Sequence, residues 1–146
     1  MPLRRILWGG AVIGALSIAA ADAHAACKMT TDTLAFGSVR PDDRADSVGT
    51  VRVTCTETTG FQIRPAGGGA GRKLRGAGSS DLRYDLYIDP NRSLAFGDGS
   101  GGSFVLVGFA GPGAPFERSL YGRIRSDQRV PRGAYTDSLV LSLIPQ

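Results

Sequence analysis

The chain has 146 residues, among them 21 glycines and 8 prolines, and its 17 basic residues outnumber its 13 acidic ones for a net charge of +4. The basic residues are mostly arginines spread along the chain, and no block of them is interleaved with aromatic residues, which argues against nucleic-acid binding. The length suffices for one domain with its own core and is too short for two.

Residues 1–25 have the features of a secretory signal peptide. Two arginines precede an apolar run, and Ala23 and Ala25 stand in the small-x-small pattern that signal peptidase cleaves. Cleavage there leaves residues 26–146 as the mature domain. A membrane anchor and a lipid attached to Cys27 fit less well, because the run is short for a span and the residues before Cys27 do not suit a lipoprotein signal. We therefore expect a secreted protein without a stable membrane anchor.

Both cysteines, Cys27 and Cys55, remain in the mature chain. Exported proteins fold in an oxidising compartment, so one disulfide is the simplest interpretation. Free or metal-binding thiols are less favoured, because the sole histidine, His24, leaves with the signal peptide. The bridge would tie the mature N-terminus to an early strand.

Short segments with alternating side chains recur along the mature chain, and a period of two predicts β-strands. The predicted strands cover residues 33–39, 49–56, 61–64, 81–89, 104–109 and 119–124, and a final segment from Tyr135 onward. The segment 104–109 is apolar on both faces, as expected of a central strand. Glycine- and proline-rich turns separate the strands, and no segment sustains a helical period. Seven such strands predict an all-β antiparallel sandwich of immunoglobulin-like size.

The final segment has one strongly apolar face and ends at a proline. The residues on that face are Tyr135, Asp137, Leu139, Leu141 and Leu143. A long apolar strand at the edge of a sheet promotes aggregation unless another strand or protein covers it. We therefore expect another strand or protein to cover this strand.

The mature chain offers no constellation suited to catalysis or to a cofactor. Without a histidine it has no Ser-His-Asp or Cys-His site and no histidine-ligated metal. Asp42 and Asp43 adjoin each other in a predicted turn and so cannot face one another across a substrate. Residues 67–73 depart from a phosphate-binding loop, since an arginine separates the glycine from the lysine and no helix follows. Residues 97–102 resemble a calcium-binding repeat that occurs only once.

Several segments, in order, resemble the spore coat protein U domain, a family that includes the Csu-type pilins of archaic chaperone–usher pathways. They are LAFGSV after the first cysteine, GTVRVTCT with the second, LRYDLYID, SLYGRI and the terminal GAYTDSLVLSLIP. The resemblance covers about Cys27 to Pro145, and the ending is its most specific part.

The resemblance implies an immunoglobulin-like sandwich that lacks its last strand. A periplasmic chaperone would fill the exposed groove first, and a neighbouring pilin subunit would then donate a strand during assembly through an outer-membrane usher. Leu139, Leu141 and Leu143 would border this groove, with Val51 and Val53 in the same core. Such a subunit is non-catalytic and reaches the cell surface, where the fimbria serves adhesion and biofilm formation.

One feature departs from a polymerising subunit. Only Ala26 precedes Cys27 after the predicted cleavage, where such a subunit carries an alternating extension for its neighbour. We therefore expect a terminal subunit that accepts a strand without donating one, or a secreted relative that never polymerises. The alternative function is a free-standing extracellular module that binds carbohydrate or protein through loops such as 97–102. Tyr84, Tyr87 and Tyr121 could add a sugar-stacking surface, although tyrosine is also an ordinary sheet residue.

Overall fold

The computed structural model describes residues 26–32, 34–36, 43–66, 71–76, 80–135, 137 and 139–146. The predicted signal peptide, with its cleavage site at Ala23 and Ala25, lies outside the described residues. The described residues form eight strands: β1 (Cys27–Thr31), β2 (Ala45–Cys55), β3 (Thr59–Pro65), β4 (Arg72–Arg75), β5 (Asp81–Tyr87), β6 (Leu106–Ala110), β7 (Phe116–Ile124) and β8 (Leu141–Pro145). Within the described part of the chain there is no helix, and thus none that could cross a membrane.

The strands form two antiparallel sheets that face each other. The larger sheet has the order β1-β2-β7-β5-β4, and the smaller has the order β6-β3-β8. Alternation in β2 shows why the sheets pack: Val51 and Val53 are buried between them, while Arg52 points to water. The prediction of an all-β antiparallel sandwich is confirmed.

The core lies between the sheets and is formed by side chains from nearly every strand. Its largest fully buried members are Phe61, Phe96, Ile63, Leu82, Leu86, Leu106, Ile124, Val51 and Val53. Phe61 of β3 meets Phe116 of β7 edge to face, with ring centroids 5.1 Å apart. Contacts of this kind join the two sheets, because the partners belong to opposite layers.

Cys27 and Cys55 form a disulfide, which confirms the predicted pairing. They are facing partners at one end of the β1–β2 ladder. The backbone N–H of Thr56 donates to the carbonyl of Ala26 at 2.9 Å just beyond the bridge. Because β1 is an edge strand, the bridge fastens it to the only strand that it pairs with in the described structure.

The structure differs from the sequence expectations in four respects. β1 and β4 were not predicted; β4 has one buried residue, Leu74, and its Arg72–Lys73 start was assigned to a loop. Residues 34–36 belong to neither sheet, although they lie in a predicted strand. The last strand begins at Leu141 rather than Tyr135.

The fourth difference concerns β6, which was expected to be central and lies at the edge of the smaller sheet. Val107 and Phe109 are 63% and 74% exposed on its outer face. In this protein, a run of apolar residues therefore belongs to an edge strand and not to a central one. On that face Phe109 packs across Gly60 of β3, whose missing side chain leaves room for the ring.

An ion pair on the outer face of the larger sheet provides a test of strand register. Arg123 of β7 donates to both carboxylate oxygens of its facing partner Asp46, through Nε at 2.8 Å and Nη2 at 3.0 Å. The hydrogen bond from Arg123 holds the pKa of Asp46 below its ordinary value of 3.8, against a smaller opposing effect of desolvation. The folded state therefore binds its proton less readily than the unfolded chain.

We expect Asp46→Asn to lower the free energy of unfolding by about 0.5–1 kcal/mol at pH 7, a modest amount because the pair is partly exposed to solvent. A lowered folded-state pKa gives stability that is present above the unfolded pKa and is lost as pH falls through the folded pKa. The difference between wild type and variant should therefore shrink as the pH is lowered from 7 to about 2. Urea unfolding at the two pH values measures it, and an equal difference at both would contradict the assignment.

Candidate functional site

An elongated groove of about 610 Å³ opens between the two sheets. Its floor consists of five buried side chains from the larger sheet: Val51, Leu74, Tyr84, Leu86 and Leu120. We call residues 34–36 the first rim. The second rim consists of Tyr135, Asp137, Leu139 and Leu141. The residues that border the groove thus come from distant parts of the sequence.

The first rim packs against glycines of the larger sheet. A Cβ on Gly122 would lie 2.8 Å from Cζ of Phe36, and one on Gly49 would lie 3.1 Å from Cγ of Leu34. Leu34 and Phe36 therefore occupy space that a side chain at position 49 or 122 would otherwise fill. Phe36 also meets the floor, because its ring centroid is 6.0 Å from that of Tyr84.

The second rim is held by hydrogen bonds rather than by a strand ladder. The hydroxyl of Tyr84 donates to Oδ2 of Asp137 at 2.6 Å. The hydroxyl of Tyr135 donates to the carbonyl of Pro131, and the Tyr135 ring lies over Gly76. Tyr135, Asp137 and Leu139 lie outside both sheets, ahead of the start of β8 at Leu141. Tyr84 contacts both rims.

β8 follows the second rim in the chain, and one of its backbone edges is unpaired in the described structure. It pairs with β3 through five facing residues, from Phe61↔Pro145 to Pro65↔Leu141. No described strand lies on its other side, and Leu141 at its start borders the groove. Such an edge presents unpaired N–H and C=O groups to any strand that enters.

The predicted groove residues occupy two different environments. Leu139 and Leu141 border the groove, and Val51 lies on its floor. Leu143 packs against the core, and Val53 is fully buried; neither lines the groove.

Sequence reasoning missed the first rim and most of the floor. The alternation of Leu34 and Phe36 was visible, but it was interpreted as an ordinary sheet strand. The prediction of an alternating strand over residues 81–89 is consistent with the burial of Tyr84 in β5. Its partner Asp137 lies 53 residues away in the sequence, and no local pattern indicates their contact.

The floor of the groove is apolar apart from the buried Tyr84, whereas the exposed or half-buried polar residues Thr31, Asp32, Thr50 and Asp137 also line the groove. Burial raises the pKa of the Tyr84 hydroxyl, and the hydrogen bond to Asp137 raises it further. Tyr84 is therefore a neutral hydrogen-bond donor at any physiological pH. Across the described residues there is no cluster of histidine, cysteine or carboxylate side chains that could hold a metal ion.

The other two strand tyrosines lie on the opposite side of the larger sheet from the groove. Tyr87 and Tyr121 are facing partners on β5 and β7, and both are partly exposed. The guanidinium carbon of Arg92 lies 5.5 Å from the centroid of the Tyr121 ring. The three tyrosines therefore do not form one sugar-stacking surface, since Tyr84 faces the core.

The family model of the Spore Coat Protein U domain matches residues 13–142. The chain belongs to this family. The resemblance seen in the sequence is thus confirmed. The family comprises structural pilin and coat domains and is not enzymatic. It is associated with surface or spore-coat structures, which fits an extracellular location.

One relative is Protein U from Myxococcus xanthus. It is 35% identical to this chain over 99 residues, which are 64% of this chain and 54% of that protein. The chain thus spans about half the length of the relative that it matches.

Proposed function

We propose that the chain is a non-catalytic, secreted subunit of a surface fimbria, and that its groove accepts a β-strand from another protein. The observation that carries the proposal is that β8, an edge strand in the described structure, borders at Leu141 a groove whose floor is largely apolar. An entering strand would pair with that edge through its backbone and place alternate side chains on the floor. This arrangement supplies affinity through main-chain hydrogen bonds and selectivity through side-chain pockets.

The strand registers give the length of the strand that fits. The floor side chains follow one another in steps of two residues, in the order Leu74, Tyr84, Leu86, Leu120 and Val51. Four such steps correspond to about 26 Å at roughly 3.3 Å per residue. A strand of about nine residues with five inward side chains would therefore cover the floor.

The partners follow from the family resemblance. A periplasmic chaperone would supply the covering strand during transit, and a neighbouring pilin subunit would replace it at an outer-membrane usher. Predicted cleavage after Ala25 leaves no extension ahead of Cys27, so we place the chain as a terminal subunit that accepts a strand. Secretion with the mature domain at 26–146 is part of the same proposal.

The test is thermal unfolding of residues 26–146, produced in an oxidising periplasm, with and without a nine-residue apolar alternating strand fused after Gln146. A flexible linker lets the fused strand turn back and run antiparallel to β8. We expect Tm to rise by about 10 °C or more, because a tethered strand fills the groove at high effective concentration.

Two controls make this result specific. A fused strand whose inward residues are all serine should leave Tm unchanged. Leu141→Asp should remove the gain from the apolar strand, because the entering strand would bury an unpaired carboxylate on the second rim. Equal melting of the protein with and without the apolar strand would contradict the proposal and would favour the free-standing binding module.

A further inference from the structure

A cluster of four cations lies on the outer face of the larger sheet, at its β4 edge. Three of them are on β4 and β5 and point away from the core, because the residues that alternate with them are buried. The fourth, Arg125, follows β7 and donates to the carboxylate of Asp85 on the same face, through Nε at 2.8 Å and Nη2 at 3.2 Å. We call these residues the cation cluster: Lys73, Arg75, Arg83 and Arg125.

Two members of the cluster face each other across neighbouring strands. Lys73 of β4 and Arg83 of β5 are facing partners in the β4–β5 ladder. Like charges in facing positions destabilise a sheet. Nζ of Lys73 lies 3.8 Å from Oδ2 of Asp81, in a pair that is well exposed to solvent and therefore weak. Arg83 has no ion-pair partner among the described residues.

Protection of the sheet edge explains only part of this cluster. Cations on an edge strand hinder its pairing with another chain, which accounts for Lys73 and Arg75 on β4. Arg83, however, lies on β5, which is paired on both sides. The side-chain amide of Gln128 holds its backbone, since Oε1 accepts from the N–H of Arg83 and Nε2 donates to its carbonyl, both at 2.7 Å. An anion bound between Arg83 and Lys73 would explain a cation fixed at this position.

The charge and shape of this surface indicate what kind of anion fits. Two acidic residues, Asp81 and Asp85, share the face with the four cations, which leaves an excess of positive charge. The cluster extends over parts of three neighbouring strands, roughly 10 Å at about 4.8 Å per strand. A guanidinium binds a planar carboxylate through two hydrogen bonds, as Arg125 does with Asp85. The open face of a sheet therefore suits an extended chain that carries several carboxylates.

We propose that the cation cluster binds a linear acidic glycan, a polyuronate, across the outer face of the larger sheet. Such a chain has one carboxylate on each sugar ring, so successive rings can reach cations on neighbouring strands. Nucleic acid suits the cluster less well, because none of its four residues is aromatic and could stack on a base. The association of the family with surface or spore-coat structures places the protein where extracellular glycans occur.

This inference goes beyond the proposed function. The groove is lined by residues of the inner face, such as Leu74 and Tyr84, whereas the cation cluster lies on the opposite side of the same strands. Glycan binding therefore does not require a strand in the groove. The apolar strand fused after Gln146 should leave the glycan affinity unchanged, so the two proposals can fail separately.

The experiment measures binding of an oligogalacturonate to residues 26–146 by isothermal titration calorimetry, at low and at physiological ionic strength. We expect binding at low ionic strength and a several-fold weaker affinity at physiological ionic strength, because salt screens exposed charges. The matched probe is the fully methyl-esterified oligogalacturonate, which has the same backbone without the negative charges. We expect it not to bind.

Two double variants locate the binding surface. Arg75→Gln/Arg83→Gln removes two cations that have no ion-pair partner in the described part of the chain, so it leaves no carboxylate without its partner. Lys28→Gln/Arg64→Gln removes the same charge from exposed positions on β1 and β3, outside the cluster. We expect the first variant to weaken oligogalacturonate binding about five- to tenfold and the second less than about twofold.

Thermal unfolding without glycan checks that both variants are folded. Arg83→Gln removes the like-charge contact with Lys73, so the first variant should not melt below the wild type. A loss of binding in that variant then reflects the lost cations and not a loss of fold.

Four outcomes would overturn the inference. The wild type could fail to bind oligogalacturonate, or it could bind the methyl ester equally well. Equal weakening in the two double variants would mean that net charge alone attracts the glycan. Tighter binding of a single-stranded oligonucleotide with the same number of charges would make nucleic acid the partner.

Discussion

Loss of the Cys27–Cys55 disulfide is expected to lower the free energy of unfolding by about 3–4 kcal/mol. The bridge closes a loop of some 29 residues and so restricts the conformations of the unfolded chain. For a domain of this size the loss corresponds to a fall in Tm of roughly 10–15 °C. The effect should extend to the groove, since Met29 and Thr31 of β1 line it and β1 is an edge strand.

The measurement is urea unfolding of wild type and of the double variant Cys27→Ser/Cys55→Ser, each with and without reductant. Oxidised wild type should be the most stable sample, and reduced wild type should match the variant under both conditions. A variant as stable as the oxidised wild type would show that the bridge adds nothing to the folded domain.

Phe61→Ala is expected to lower the free energy of unfolding by about 3–5 kcal/mol. Phe61 is 2% exposed and meets Phe116 across the sandwich, so the truncation leaves a cavity and removes an aromatic contact between the sheets. A loss of this size is a large fraction of the total stability of an ordinary domain.

Phe109→Ala is the matched control, because Phe109 belongs to the same sheet and is 74% exposed on its outer face. We expect it to change the free energy of unfolding by no more than about 1 kcal/mol, the contribution of its contact with Gly60. Urea unfolding with equal m-values compares the two variants. Similar losses in both would mean that the inner and outer faces of the smaller sheet are wrongly assigned.

The features that sequence alone predicted depend on short stretches of chain. Alternation along β2 and β5 predicted buried and exposed faces, since side chains in any extended strand point to opposite sides. The pairing of the two cysteines was predicted from their number and from the oxidising compartment that the expected signal peptide implies. The segment order from Cys27 to Pro145 was sufficient to indicate the family.

The features that sequence alone missed depend on weak or competing local signals. β4 escaped prediction because a strand of four residues with one buried side chain has almost no period of its own; pairing with β5 places it. Conversely, β6 looks central from its composition, and its edge position follows from which strands pair with β3.

The groove is formed by tertiary contacts between residues that are distant in the sequence. Leu34 and Phe36 leave the sheet because glycines 49 and 122 beneath them provide space, a fit between residues far apart in the chain. The second rim departs from β8 because Tyr84 binds Asp137 across 53 residues. Sequence therefore determined that this protein is a sandwich with an apolar last strand, because a period of two is a local property. Only the packing of distant segments determined that a groove with a polar floor position lies beside that strand.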